Sequence, residues 1–142
     1  MKCITCFFVV LTIKTVFKGV AGGIVIFSAF ELLRRGSTYD QLVTAINNCV
    51  LPASAKLIQM AEGSVNLKVQ VENRLALDSL WQMYKNGTLK ARLEALLVTE
   101  EMRELAGGEG VEVIVTIDER EYEKARDELI TEARGNVFMC HH

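Results

Sequence analysis

Residues Val65 to Glu72 alternate apolar and polar side chains at a strict period of two: Val65, Leu67, Val69 and Val71 against Asn66, Lys68, Gln70 and Glu72. Successive side chains of a strand point to opposite faces, so this run buries one face and leaves the other wet, whereas a helix would scatter its valines around the axis. A half-wet strand belongs to an antiparallel sheet covered on one side. Ser54 to Ala61 reads as its partner strand, joined to it through the turn residues Glu62 and Gly63.

Around this hairpin the periodicity changes to that of helices. Thr38 and Ser37 offer capping hydroxyls with Gln41 and Asp40 three residues on, and Leu42, Ala45, Ile46 and Cys49 follow at helical spacing, which predicts a helix from about Thr38 to Cys49 that Pro52 stops. Leu77, Leu80, Trp81 and Tyr84 form one stripe of a second helix, closed by Asn86-Gly87, with the two aromatic rings expected in the core. Leu89, Leu93, Leu96 and Leu97 mark a third, and Thr99 with Glu100 and Glu101 caps a short one that ends at Gly107-Gly108. Val111, Val113, Val115 and Ile117 then make a strand whose outer row includes Ile114, so that face is expected to be more covered than that of its predecessor. Asp118 and Glu121 make a capping-box pattern, and Ile117 with Tyr122 a staple, for a last helix that faces Tyr122, Ala125 and Leu129 inward and frays after Arg134.

The beginning of the chain is the ambiguous part. From Ile4 to Phe30 it is almost wholly apolar, interrupted by Lys14 and Lys18. Each lysine would cost roughly 2.5–3.5 kcal/mol at the centre of a membrane-spanning helix, and the runs on either side are too short to span. Lys2 followed by an apolar stretch, with the small residues Val20, Ala21 and Gly22 behind it, has some features of a signal peptide, which the lysines spoil. The reading adopted is an extension over residues 1–22, an extra strand or a disordered or targeting segment, followed by a folded domain over 23–134 and a frayed tail over 135–142. Ile24-Val25-Ile26-Phe27 after the double glycine is expected to be the first core strand. The order is then βαββαβ with one added helix: an α+β, ferredoxin-like α/β sandwich with a four-stranded antiparallel sheet and helices on one face.

Composition narrows the function. With 142 residues, 50% hydrophobic, 24% charged and a net charge of -2, the chain is one globular domain without the concentrated basic surface that phosphate binding needs. Residues 1–50 hold Lys2, Lys14, Lys18, Arg34 and Arg35 against Glu31 and Asp40, a balance of +3 that leaves -5 for the remainder. Four cysteines without framework spacing point to reduced thiols and a cytoplasmic protein. The histidines, His141 and His142, sit at the extreme C-terminus, which removes the usual base for a serine or cysteine nucleophile. Cys3-x-x-Cys6 and Cys140-His141-His142 contain metal-binding atoms but stand at opposite ends of the chain. The glycine pairs match neither phosphate-binding fingerprint, and the acidic stretch from Asp118 to Glu132 is interleaved with Arg120, Lys124 and Arg126, the pattern of a solvated helix face. RNA-binding sheets of this topology stack bases on aromatic side chains, and Asn66, Lys68, Gln70 and Glu72 include none. No catalytic group, cofactor, metal or nucleic-acid partner is therefore expected.

As a set, Glu62-Gly63-Ser64-Val65-Asn66-Leu67-Lys68-Val69, Leu77-x-x-Leu80-Trp81-x-x-Tyr84-x-x-Gly87-x-Leu89, Leu97-Val98-Thr99-Glu100 and Val115-Thr116-Ile117-Asp118-x-x-x-Tyr122 resemble the TRADD-N-associated domain, over about residues 54–130. That family takes its name from the N-terminal domain of the TRADD adaptor, and similar modules accompany NACHT, death and caspase-type domains. The resemblance implies a non-catalytic adaptor module in apoptotic or innate immune signalling, with TRAF-like, death-domain or NACHT-type proteins as partners. The candidate interaction surface is the wet sheet face at Asn66, Lys68 and Gln70, with the acidic last helix as the other choice. The alternative is a ferredoxin-like small-ligand-sensing regulatory domain, dimeric through an edge strand.

Overall fold

The computed structural model describes residues 7–20, 25–26, 29–61, 65–108 and 110–139, and side chains as far as residue 132. Its sheet has four strands: β1 (Val9–Gly19), β2 (Ala55–Ala61), β3 (Asn66–Val71) and β4 (Val111–Ile117). They lie in the order β2-β3-β1-β4, and every neighbouring pair is antiparallel. The helices are α1 (Ala29–Gly36), α2 (Tyr39–Cys49), α3 (Arg74–Lys85), α4 (Thr88–Leu97), α5 (Glu100–Leu105) and α6 (Glu119–Met139). This is the ferredoxin-like α+β arrangement with an additional C-terminal helix.

The first strand differs from expectation. It is Val9–Gly19, and it lies inside the sheet between β3 and β4, with Ile13 paired to Leu67 on one side and Ile117 on the other. The apolar N-terminal run is thus in part the middle of the sheet. Its lysines explain the difference: Thr12, Lys14 and Lys18 fall on the same alternate positions as Val10 and Val16, so they mark a wet face rather than interrupt a span. Of Ile24–Phe27, Val25 makes an isolated bridge to Lys18 and the Ile26 N–H donates to the Phe17 carbonyl at 2.7 Å, while Ile24 and Phe27 lie outside the described residues. A helix that was not expected, α1, follows and buries Ala29, Leu32 and Leu33.

The core forms between the odd row of β1 and the helices. Leu11, Ile13 and Phe17 join Leu57, Leu67, Val69, Val71 and Val113 from the other strands, covered by Ile46, Leu77, Leu80, Leu89, Leu93 and Leu97, all fully buried. Each such side chain contributes about 1.5–3 kcal/mol relative to exposure. Thr15 is the one buried polar residue of that row, and both its N–H and its hydroxyl donate to the Val65 carbonyl, which ties β1 to the entry of β3. The helix starts follow the local chemistry. Thr38 and Gln41 complete a reciprocal capping box on α2, Asn73 caps α3 and Thr99 caps α5. At the end of α3, Gly87 takes φ +86°, the left-handed conformation that lets α4 begin immediately.

Helix α6 departs from its expected cap. Asp118 accepts from the Arg120 N–H at 2.8 Å, but the Glu121 carboxylate turns away and accepts the Thr12 N–H at 2.9 Å. β4 ends opposite Ile13, so β1 before that point is paired with β3 on one side only, and α6 takes the place on the other side. Tyr122 is buried and stacks on Trp81 of α3 with ring centroids 4.2 Å apart and planes within 5°, its hydroxyl donating to Asp78 at 3.0 Å. Burial, then the hydrogen bond and the negative charge of Asp78, hold that phenol above its ordinary value.

Candidate interaction face

The sheet has one face under the helices and one that no described helix covers. On the uncovered side stand Val10, Thr12, Lys14, Val16 and Lys18 of β1, Asn66, Lys68 and Gln70 of β3, Lys56 and Gln59 of β2, and Glu112, Ile114 and Thr116 of β4. None of these is buried. Asn66, Lys68 and Gln70 are half-buried because β3 is an interior strand, flanked by β1 and β2. The structure therefore sets the three residues singled out from sequence side by side with polar neighbours that the sequence did not single out. Ile114 is 37% exposed and Thr116 is exposed, so the outer face of β4 is open rather than covered; the strand is at the edge and no described helix reaches across it.

Two features shape this face. The first is a diagonal of lysines. Lys18 and Lys14 lie four residues apart on β1; Lys68 sits opposite Thr12 one strand over; Lys56 sits opposite Gln70, itself opposite Val10, two strands over. Lys68 Nζ donates to Thr12 Oγ1 at 3.0 Å, which fixes its ammonium over the central strand. The second is an apolar pair, Val16 and Ile114, directly opposed across β1 and β4 between Lys14 and Lys18. A bulge at Ile58 in β2 turns that side chain outward, 45% exposed, and returns Gln59 to the open face opposite Lys68.

Side chains take up part of the hydrogen-bonding capacity of both sheet edges. At the β2 edge the Leu57 N–H donates to Asn47 Oδ1 at 2.6 Å and the Met60 N–H to the Tyr39 hydroxyl at 3.0 Å, both from α2. At the β4 edge Glu94 Oε2 accepts the Val113 N–H at 3.0 Å, while Lys90 Nζ donates to the Val113 carbonyl at 3.0 Å and pairs with Glu94 and Glu112 at 2.7 and 2.9 Å. Hydrogen bonding to Lys90, then its positive charge, hold the Glu112 carboxyl below the ordinary carboxylate value. Burial works against the Lys90 charge, but the bonds to Glu94 and Glu112 outweigh it and raise the ammonium above its usual value. A strand whose outer N–H groups are already accepted offers little to an added strand. Strand addition, the dimer expected for the ligand-sensing alternative, would have to displace these bonds at Leu57 and Met60 of β2 or at Val113 of β4.

Other candidate sites are less developed. A shallow trough of about 750 Å³ runs beside α6 between Phe7 and the charged residues Arg120, Glu123, Lys124 and Asp127, open to solvent where small-molecule pockets enclose their ligand. Cys49 is an exposed free thiol; Cys3, Cys6, Cys140 and both histidines lie outside the described residues. No described group of His, Cys, Asp and Glu has the makings of a metal site, and no described helix is long and apolar enough to cross a membrane.

The profile of the TRADD-like N-terminal domain covers α2, β2, β3, α3, α4 and the start of α5. Residues 37–102 match the TRADD-like N-terminal domain family. Of the resemblance expected over about residues 54–130, the part up to residue 102 lies within this match, and the Val115 to Tyr122 motif lies beyond it. Within the TRADD-like segment fall Asn66, Lys68, Gln70 and Lys56, whereas β1 with Lys14 and Lys18, β4 and α6 lie outside it. The chain is 29% identical over 68 residues to the death effector domain-containing protein of Homo sapiens, covering 48% of this chain and 21% of that protein. It is 35% identical over 78 residues to the DNA-binding death effector domain-containing protein 2 of Homo sapiens, covering 55% of this chain and 24% of that protein. The chain thus spans about a quarter or less of the length of these relatives. No solved structure matches.

Proposed function

We propose that this chain is a non-catalytic adaptor module that binds another protein in apoptotic or innate immune signalling, acting in the cytoplasm. The observation that carries the reading is the match of residues 37–102 to the TRADD-like N-terminal domain, together with relatives whose names place them among death effector domain proteins. The geometry agrees with it. A half-polar sheet face that no described helix covers, bordered by edges at which the Leu57, Met60 and Val113 N–H groups are taken, suits recognition across a surface better than enclosure of a small molecule. Asn66, Lys68 and Gln70 are the proposed centre of the surface, and death-domain, TRAF-like or NACHT-type proteins the proposed partners.

The test uses the whole chain, because β1 belongs to the sheet. Immobilised protein is incubated with cytosolic extract and the captured proteins are identified by mass spectrometry, beside a Lys68→Glu variant shown to fold by its thermal melt. Death-domain, TRAF-like or NACHT-type proteins captured by the parent and lost with the variant support the module and its face. Equal capture by both moves the interface to the helices. Capture of none of these classes refutes the reading.

A further inference from the structure

The lysine diagonal has a length and a direction. Taking a strand rise of about 3.3 Å per residue and a strand spacing of about 4.8 Å, Lys18 to Lys56 spans the eight positions from Lys18 to Val10 along β1 and two strands across, roughly 28 Å in all. The line leans only about 20° from the strand direction by the same spacings. It carries Lys18, Lys14, Lys68 and Lys56 in that order, with Val16 lying on it and Ile114 beside it. Three carboxylates border the line: Glu112, already paired with Lys90, Glu72 just beyond β3, and Glu121 of α6, which accepts the Thr12 N–H at the flank of β1; the four lysines outnumber them.

From this geometry we infer that the open face receives an acidic amphipathic helix of a partner protein, laid along the diagonal. This deepens the adaptor reading and rests on it. The charge of the occupant follows from the four lysines. Its protein nature follows from the apolar pair: Val16 and Ile114 offer nothing to a polyphosphate, and the cations are all lysines, point charges without the guanidinium fork that favours phosphate. Its helical form follows from the partly occupied edges and from the position of the diagonal on the face of the sheet rather than at its edge. An extended segment gains its affinity from backbone pairing with a sheet edge, and the Leu57, Met60 and Val113 N–H groups are occupied. A helix satisfies its own backbone, and about 19 residues at 1.5 Å each match the span.

The probe is a fluorescein-labelled 19-residue peptide with glutamates on one helical stripe and two leucines among them, titrated with the whole chain and followed by anisotropy. Saturable binding is expected, weakening as salt rises from about 50 to 300 mM because exposed charges carry it. Lys14→Glu with Lys56→Glu, both at exposed positions, should reduce affinity at least tenfold while the thermal melt stays unchanged, and Val16→Asp should do the same through the apolar contact. Absence of saturable binding, or binding indifferent to both variants, overturns the inference. So does a labelled DNA duplex that binds as tightly with the same lysine dependence, which would make the diagonal a polyanion site. If the peptide fails while the chain still captures a signalling protein from extract, the diagonal falls and the adaptor reading stands. Loss of both removes both.

Discussion

Ile13→Ala tests whether the apolar N-terminal run is part of the fold. Ile13 is fully buried, and it stands where β1 is paired on both sides, to Leu67 of β3 and Ile117 of β4. The substitution removes three carbons at about 0.8 kcal/mol each, and the cavity between two flanking strands cannot collapse freely, so a total of about 3–4 kcal/mol is expected. Against a domain stability of 5–15 kcal/mol, as is usual for chains of this size, that lowers the melting temperature by roughly 10 °C. The assay is urea unfolding followed by the fluorescence of Trp81, the single tryptophan, which is stacked on Tyr122 and so senses the docking of α3 against α6. The slope with urea should stay the same while the midpoint falls. Lys14→Ala, one position along on the open face, serves as the comparison and should change stability by no more than about 0.5 kcal/mol. A loss under about 1 kcal/mol for Ile13→Ala would refute the placement of β1 in the core, because no fully buried isoleucine in a central strand is removed so cheaply.

Three further outcomes follow from the same contacts. Glu94→Ala leaves the Val113 N–H and Lys90 without their shared partner; it should cost about 1–2 kcal/mol in urea unfolding and raise light scattering with protein concentration as the β4 edge opens. Glu112 has its folded value below the ordinary 4.5, so its contribution is fully present above pH 4.5 and disappears as pH falls through the lowered value. The stability gap between the parent and Glu112→Gln should therefore close in that acid range, and a gap that widened there would reverse the assignment. Tyr122→Phe keeps the stack on Trp81 and loses the bond to Asp78, with a cost of about 0.5–1.5 kcal/mol and little change in the aromatic circular dichroism.

Local patterns carried the reading wherever the partner of a residue is near in sequence. The alternation in β3, the Thr38–Gln41 capping box and the stripe of α3 were visible because periods of two and 3.6 and a three-residue reach are properties of short segments. β1 has the same alternation, but Val10 and Val16 on its wet face blur it into a hydrophobic run, and an apolar run near an N-terminus competes with membrane and export readings. α1 presents a stripe of Ala29, Leu32 and Leu33 in only eight residues, too short to stand out beside the preceding run. Glu121 looked like a capping residue because its spacing from Asp118 is right; its carboxylate goes instead to Thr12, 109 positions away. The candidate face shows the same division. Asn66, Lys68 and Gln70 were legible from one strand, whereas Lys14, Lys18 and Lys56 join them only through strand order and the bulge at Ile58, which no local pattern encodes.

The pairing of β1 with β4 joins residues near opposite ends of the chain, Ile13 with Ile117. On a ribosome adding about 5–20 residues per second, roughly 5–20 s separate the emergence of the two strands. Throughout that interval Leu11, Ile13 and Phe17 wait without their final neighbour, although β3 has already appeared. The β1–β4 pairing can form only once synthesis has passed Ile117, and closing a loop of that length carries an entropic cost that local contacts do not.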